Sequence, residues 1–200
     1  MRVDRVILRA AVSTLVSILA LFAFMLGALC LFFPSTMMGV TYDLGMNAAS
    51  VDFAKTSFDR SHQIYYVAFA TEVAVETGDN ARVEECGSLL IEQDGFQEYC
   101  TQRDAEIQAN ISYKQYIYGQ VSLAKYALQK TDAVTTAFSG LTENTFPKNN
   151  AVVALLVTAI QNGDTQTVTA IQTQMNEMAN NLTGEDKAYF EEITSKLLNG

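Results

Sequence analysis

Proline, histidine and cysteine are scarce in this sequence of 200 residues, which contains two Pro, one His and three Cys. A sheet-rich chain needs frequent turns, and two Pro with 11 Gly are few for that architecture. The one His and three Cys are too far apart in sequence for the ligand spacing of a zinc finger, and one His cannot form a His-rich metal site. We therefore expect an α-helical protein without a metal or another cofactor.

Positive charge is also scarce, because 13 Lys and Arg stand against 22 Asp and Glu and give a formal net charge of −9. Binding to nucleic acid requires a basic surface that neutralises phosphates, so we expect no nucleic-acid partner. The sequence contains no Gly-rich phosphate loop, no H-E-x-x-H helix and no G-x-S-x-G elbow. We therefore expect a protein that is not an enzyme.

One long hydrophobic run dominates the N-terminal region. Residues 10–33 carry no charge, and about 20 apolar residues are enough to cross the hydrocarbon core, so the run predicts a transmembrane helix. Arg2, Arg5 and Arg9 precede it, whereas the next basic residue after it is Lys55. This asymmetry predicts a single-pass protein of the cell membrane with a cytoplasmic N-terminus and an extracytoplasmic C-terminal part.

Two other interpretations of this run stay open. A cleaved signal peptide usually has an apolar core of about 7–15 residues and a small-residue cleavage site, but this run is longer and has no clear A-x-A pattern. Lipidation at Cys30 would require a small residue where the bulky Leu29 stands. In an uncleaved anchor, small residues near one helix face would let two copies associate closely. They are Ala10, Ser13, Ser17, Ala20 and Gly27.

The rest of the chain divides into a short linker, residues 34–43, and an all-helical domain, residues 44–200. Apolar residues recur there at helical spacing, and no segment alternates with period two for long enough to predict a strand. The uncharged run from Ala151 to Ile160 is too short to span a bilayer. It predicts a helix at the centre of the C-terminal half, with Leu155 and Leu156 both buried.

Two Gly-Asp dipeptides, Gly78-Asp79 and Gly163-Asp164, lie between pairs of apolar helical segments. Each Gly predicts the end of one helix, and each Asp predicts the cap of the next. Aligning the two turns matches VAFATEVAVETGDNARVEECGSLL with VVALLVTAIQNGDTQTVTAIQTQM. Each segment resembles the helical hairpin of tetratricopeptide-type repeats, which implies an array of stacked hairpins. An irregular helical bundle follows the same packing rules and remains the alternative.

Four tyrosines, Tyr113, Tyr116, Tyr118 and Tyr126, are the candidate partner-binding residues. Tyrosine buries a large area and keeps a polar tip, and it is favoured in binding grooves. Half-buried packing between helices would account for the same residues. Together with the anchor, these tyrosines predict a non-enzymatic interaction or scaffold module that binds a protein or peptide on the outer face of the membrane.

A turn signal at Asp94-Gly95 lies between Cys86 and Cys100. In an antiparallel helical hairpin the two cysteines would stand nearly level with each other, and an oxidising outer compartment would allow a disulfide between them. The alternative is a pair of buried thiols that behave as small apolar residues.

The alternative to an interaction module is an envelope-associated hydrolase or transferase. Its best candidate site is Asp59, Arg60 and His62, since His62 is the only imidazole and could serve as a general base. A simpler interpretation is a histidine at the start of a helix, bonded to a nearby carboxylate, because no candidate nucleophile has the spacing to meet it.

Overall fold

The computed structural model describes residues 2–107, 111–142 and 144–198, without the side chains of residues 2–6 and 198. The chain is 80% helical, with 11 α-helices and no strand within these ranges. The predicted all-α class is thereby confirmed. The chain forms two compact units, residues 1–62 and residues 63–200.

The first unit contains α1 (Arg2–Phe32), α2 (Pro34–Asp43) and α3 (Asn47–Ser61). Within α1 the segment Ile7–Phe32 has 26 residues, is strongly apolar and is not buried within the protein. At about 1.5 Å per residue it is about 39 Å long, more than the hydrocarbon thickness of a bilayer. One N-terminal helix is therefore long and apolar enough to span a membrane. Arg9 is exposed in this helix, whereas the side chains of Arg2 and Arg5 lie outside the described part.

Residues 34–43 are a helix, so their assignment to a linker is corrected. Pro34 ends α1 as expected, yet it also occupies the first turn of α2, where proline's fixed φ and missing N–H suit a helix start. The helix packs along α3, and Ser50 donates a 2.8 Å hydrogen bond to the carbonyl of Met38. The boundary between the two compact units consequently lies after His62. The buried residues of α2 are Pro34, Met37, Met38 and Thr41.

The second unit contains eight α-helices in its described part. They are α4 (Ile64–Glu76), α5 (Asn80–Ile91), α6 (Phe96–Ile107), α7 (Tyr113–Ala127), α8 (Ala133–Ser139), α9 (Ala151–Gln161), α10 (Thr165–Ala179) and α11 (Gly184–Ile193). A π-helical turn, Thr194–Leu198, follows α11. Helix α5 packs against α4 and α7, α7 also packs against α8 and α9, and α9 packs against α10.

In three helix pairs of this unit, α4–α5, α7–α8 and α9–α10, a residue with positive φ follows the end of the first helix. These residues are Gly78, Gln129 and Gly163, with φ of 67°, 57° and 68°. In each turn the N–H of this residue donates to the carbonyl three positions back, and the next N–H donates to the carbonyl five positions back. This is the Schellman arrangement that ends a helix.

Asp79 and Asp164 then cap α5 and α10, as the Gly-Asp pattern predicts. Each side chain accepts a hydrogen bond from the backbone N–H three residues on, at 3.2 Å from Arg82 and 3.0 Å from Thr167. Such a bond satisfies one of the donors that a helix start leaves open.

Helix α9 forms the centre of the C-terminal core, and Leu155 and Leu156 are both fully buried in it. This confirms the prediction from the uncharged run. Asn150 caps the helix, since its side chain accepts a 3.0 Å hydrogen bond from the N–H of Val153. Phe146, in the loop before α9, is also buried against this core.

The predicted disulfide between Cys86 and Cys100 is not present in the structure, where both residues are buried thiols. The prediction assumed that α5 and α6 pair as an antiparallel hairpin about the turn at Asp94-Gly95. Instead, α5 packs on α4 and α7, and α6 packs on α7. Helices α5 and α6 therefore do not pair along their length as the prediction assumed.

Candidate partner-binding site

A cavity of about 300 Å³ lies among α4, α6, α7 and the residue Ile111. We call it the Tyr113 cavity. Its wall combines three carboxylates, one guanidinium, two phenol rings and two isoleucines, so charged and apolar surfaces meet within a small volume. The lining residues are Glu72 and Glu76 of α4, Arg103, Asp104 and Ile107 of α6, Ile111, and Tyr113 and Tyr116 of α7.

Glu72 connects the three helices of the cavity. Its Oε1 accepts a 2.7 Å hydrogen bond from the hydroxyl of Tyr113 and a 3.2 Å bond from Nη2 of Arg103. The other terminal nitrogen of Arg103, Nη1, lies 3.2 Å from Glu106. Hydrogen bonds that involve an ionised group are stronger than those between neutral groups, so this network holds the wall in one arrangement.

The aromatic side of the cavity continues from Tyr113 to its neighbours. The ring of Tyr113 lies 5.9 Å from that of Tyr99 in an edge-to-face contact and 6.1 Å from that of Tyr116 in a tilted one. The guanidinium carbon of Arg103 stands 5.6 Å from the centre of the Tyr113 ring, within range of a cation–π interaction. One cation is therefore already bound by an aromatic face and a carboxylate of this site.

Burial changes the acidity of these groups. It raises the pKa of Tyr99 to about 12, and burial followed by the hydrogen bond to Glu72 raises the pKa of Tyr113 above its ordinary range. Burial, reinforced by the charges of Glu72 and Glu76, also raises the pKa of Tyr116. At neutral pH all three phenols consequently keep their protons, and the hydroxyl of Tyr113 donates its proton to Glu72.

Arg103 remains a cation in this setting. Burial lowers its pKa, but the carboxylates of Glu72 and Glu106, together with Tyr99, outweigh that effect and raise the pKa above its usual value.

The start of α7 is held in place by two oxygen acceptors. Asp104 of α6 accepts a hydrogen bond from the backbone N–H of Tyr113, and the hydroxyl of Ser112 accepts one from the N–H of Gln115 at 3.5 Å. Both acceptors satisfy donors of the first turn, and the charge of Asp104 also complements the positive end of the helix dipole. The position of the Tyr113 ring thus follows from the way α7 begins.

The structure brings together only two of the four tyrosines chosen from the sequence. Tyr113 and Tyr116 line the cavity, whereas Tyr118 packs edge-on against Phe96 with ring centres 6.0 Å apart. Tyr126 lies at the other end of α7, where its hydroxyl accepts a 3.5 Å hydrogen bond from Asn162. Successive positions of one helix face different directions, so proximity in sequence did not imply a common surface.

Glu72, Tyr99 and Arg103 were missed by the sequence reasoning. Glu72 and Glu76 are the only charged residues of α4, a helix whose other residues except Thr71 are apolar or aromatic. Their spacing of four residues places them on one helix face. That pair of charges on a mostly apolar helix was the sequence feature that could have indicated this site.

The alternative catalytic residues, Asp59, Arg60 and His62, lie exposed around the end of α3. No hydrogen bond or ion pair joins these three described side chains. Arg60 donates a 2.8 Å hydrogen bond to the carbonyl of Leu31, and the ring of His62 contacts Phe58 edge-on at 6.0 Å. His62 ends α3 with a φ of 54°, so its expected place at the start of a helix is corrected.

Within the described ranges no three His, Cys, Asp or Glu side chains are grouped as they would be around a metal ion.

The fold and the cavity define an all-α protein with one helix of membrane-spanning length and a charged, aromatic cavity between helices. Comparisons with protein-family models, curated proteins and solved structures gave no match.

Proposed function

We propose that this protein is a membrane-anchored, non-enzymatic interaction or scaffold module that binds a protein partner at the Tyr113 cavity. Helix α1 supplies the anchor. The three arginines before its apolar span, at positions 2, 5 and 9, favour a cytoplasmic N-terminus, which leaves the helices after α1 on the outer side.

The hairpins α4–α5, α7–α8 and α9–α10 form the scaffold of this module in our proposal. Their shared turn geometry and the packing of α7 between α5 and α9 support an array of the tetratricopeptide kind. Each hairpin can bury its apolar face only against a neighbour, and stacked hairpins present cavities between their helices.

The observation that carries the proposal is the bonding of Glu72 to both Tyr113 and Arg103. Three helices thereby hold aromatic faces and charges in a preset arrangement, which lowers the entropic cost of binding. Tyrosine and arginine are also among the side chains that most often dominate binding energy at interfaces.

The protonation of the cavity favours binding over proton transfer. A phenol whose pKa lies well above neutrality is a poor general base, and burial together with the hydrogen bond to Glu72 raises the pKa of Tyr113 above its ordinary range. Glu72 is engaged by two donors through a single oxygen. These groups suit recognition by hydrogen bonds and ring contacts.

Photo-crosslinking in intact membranes tests the proposal. A photoreactive phenylalanine at position 116, which lines the cavity, should give a discrete crosslinked protein. The same residue at position 173, exposed on α10, is the control and should not give that adduct. Identical crosslinking patterns from the two positions would contradict binding at the cavity.

A further inference from the structure

The Tyr113 cavity carries an excess of negative charge. Its wall contains the carboxylates of Glu72, Glu76 and Asp104 against one guanidinium, that of Arg103. The same sign prevails around it, because residues 34–200 contain 21 acidic and 10 basic residues. A concave, acidic site concentrates cations and disfavours anions, which restricts the charge of an occupant.

The protein's own Arg103 shows which chemistry this wall accepts. Its guanidinium lies over the Tyr113 ring at 5.6 Å and is bonded to Glu72 at 3.2 Å. Tyr116 offers a second ring beside Glu72 and Glu76, and both carboxylates act electrostatically on its hydroxyl. A second cation in the cavity would therefore meet the same two kinds of group, a phenol ring and a carboxylate.

The apolar part of the wall indicates the shape of that cation. Ile107 and Ile111 line the cavity together with the charged residues. Lysine and arginine combine an aliphatic stem with a cationic head, and such side chains place the stem on apolar surface while the head reaches polar groups. A volume of about 300 Å³ is at the small end of ligand sites and suits one long side chain.

We infer that the Tyr113 cavity binds one lysine or arginine side chain from an exposed segment of the partner protein. The stem lies against Ile107 and Ile111, and the head lies between the ring of Tyr116 and the carboxylates of Glu72 and Glu76. The inference rests on the proposed function and names the chemistry by which that partner is recognised.

Short peptides test the inference on the full chain in lipid nanodiscs. The probes are four pentapeptides in which glycines flank one central residue. The central residue is lysine, arginine, norleucine or glutamate. Ligand-observed NMR should detect the lysine and arginine peptides but neither of the others. Binding should weaken as salt is raised, since screening reduces the attraction between charges. Equal binding of norleucine and lysine peptides, or no binding of any peptide, would overturn the inference.

The substitution Glu76→Gln removes one cavity charge at an exposed position and should lower the affinity for the lysine peptide about fivefold. Glu177→Gln on α10 is the matched control, because it removes the same charge at an exposed site outside the cavity. The inference fails if both variants weaken binding equally or if neither does.

Two further comparisons distinguish a protein side chain from a free small cation, and distinguish a failure of this inference from a failure of the proposed function. A free polyamine that competes fully with the peptides, together with a crosslink from position 116 that Glu76→Gln leaves unchanged, would assign the cavity to a small cation. A crosslinked partner that forms without any peptide binding would retain the proposed function and reject the basic side chain. Peptide binding without any crosslinked partner would reject the proposed function instead.

Discussion

The hydroxyl of Tyr113 donates a 2.7 Å hydrogen bond to Oε1 of Glu72, and this bond joins the first turn of α7 to α4. The acceptor also holds Arg103 of α6. A single carboxylate thus couples three helices whose residues are far apart along the chain. Removing its donors should affect both stability and the shape of the cavity.

Replacing Tyr113 by Phe should lower the free energy of unfolding by about 1–3 kcal/mol, because a part-buried hydrogen bond to a charged acceptor is lost. Tyr99→Phe is the matched control, since the Tyr99 ring contacts Tyr113 but its hydroxyl makes no hydrogen bond to any residue that the structure describes. Chemical denaturation of the full chain in detergent micelles, followed by helical circular dichroism, measures both changes. Equal loss in the two variants would contradict a special role for the Tyr113 hydroxyl.

Alkaline pH should destabilise the protein between about pH 10 and pH 12. Burial raises the pKa of Tyr99 from 10.0 to about 12, and Tyr113 is shifted in the same direction. In this window the unfolded chain loses phenolic protons that the folded chain retains, so the free energy of unfolding falls as pH rises. Below pH 10 these groups keep their full contribution.

Denaturation midpoints measured on both sides of pH 10 check this dependence. In the double variant Tyr99→Phe, Tyr113→Phe, stability should fall less steeply with pH above pH 10. Below pH 10 its dependence on pH should match that of the wild type. A double variant with the wild-type slope would show that other groups control the alkaline transition.

The helix ends were predictable from the sequence because local chemistry determines them. Glycine at positions 78 and 163 supplies a positive φ, and the aspartate after each of them caps the next helix. The burial of α9 followed from its uncharged run in the same way. Pro34 was harder to interpret, since a proline that stops one helix also suits the first turn of the next.

The cavity could not be predicted in this way. Its bonds join residues 31 and 41 positions apart in sequence, from Glu72 to Arg103 and to Tyr113. No local pattern specifies which helices will pack together. The expected disulfide failed for the same reason, because the turn at Asp94-Gly95 does not decide that α5 packs on α7.

Thiol counting checks the state of Cys86 and Cys100. The variant Cys30→Ser leaves only these two cysteines, and both should titrate as thiols when the full chain is denatured without reductant. In the folded chain Cys100 should react far more slowly, because burial and the charge of Asp104 raise its pKa to about 12 and leave little thiolate. Two thiols that appear only after reduction would restore the disulfide.

Gly87 marks the close approach of α5 and α7. A Cβ at this position would overlap a methyl group of Val121, and Val121 is itself fully buried and stiff at χ1. Gly87→Ala should therefore lower the free energy of unfolding by about 1–3 kcal/mol through overpacking.

Gly119 of α7 provides the matched control for this substitution. A Cβ there would meet Ala151 at an ordinary contact distance of 3.7 Å, so Gly119→Ala should be neutral or raise the free energy of unfolding by up to about 1 kcal/mol through helix propensity. Denaturation of both variants in micelles gives the comparison. If Gly87→Ala were as stable as Gly119→Ala, the close packing of α5 on α7 would be wrong.

The orientation of the anchor is tested by reporters fused after Gly200. The arginines at positions 2, 5 and 9 should retain the N-terminus in the cytoplasm, so a reporter active only outside the cytoplasm should give signal and one active only inside should remain silent. Changing all three arginines to Gln should lower the outside signal, whereas Lys55→Gln, a basic residue after the span, should not. A strong signal from the cytoplasmic reporter on the unaltered chain would reverse the orientation and place the Tyr113 cavity, with any partner of it, inside the cell.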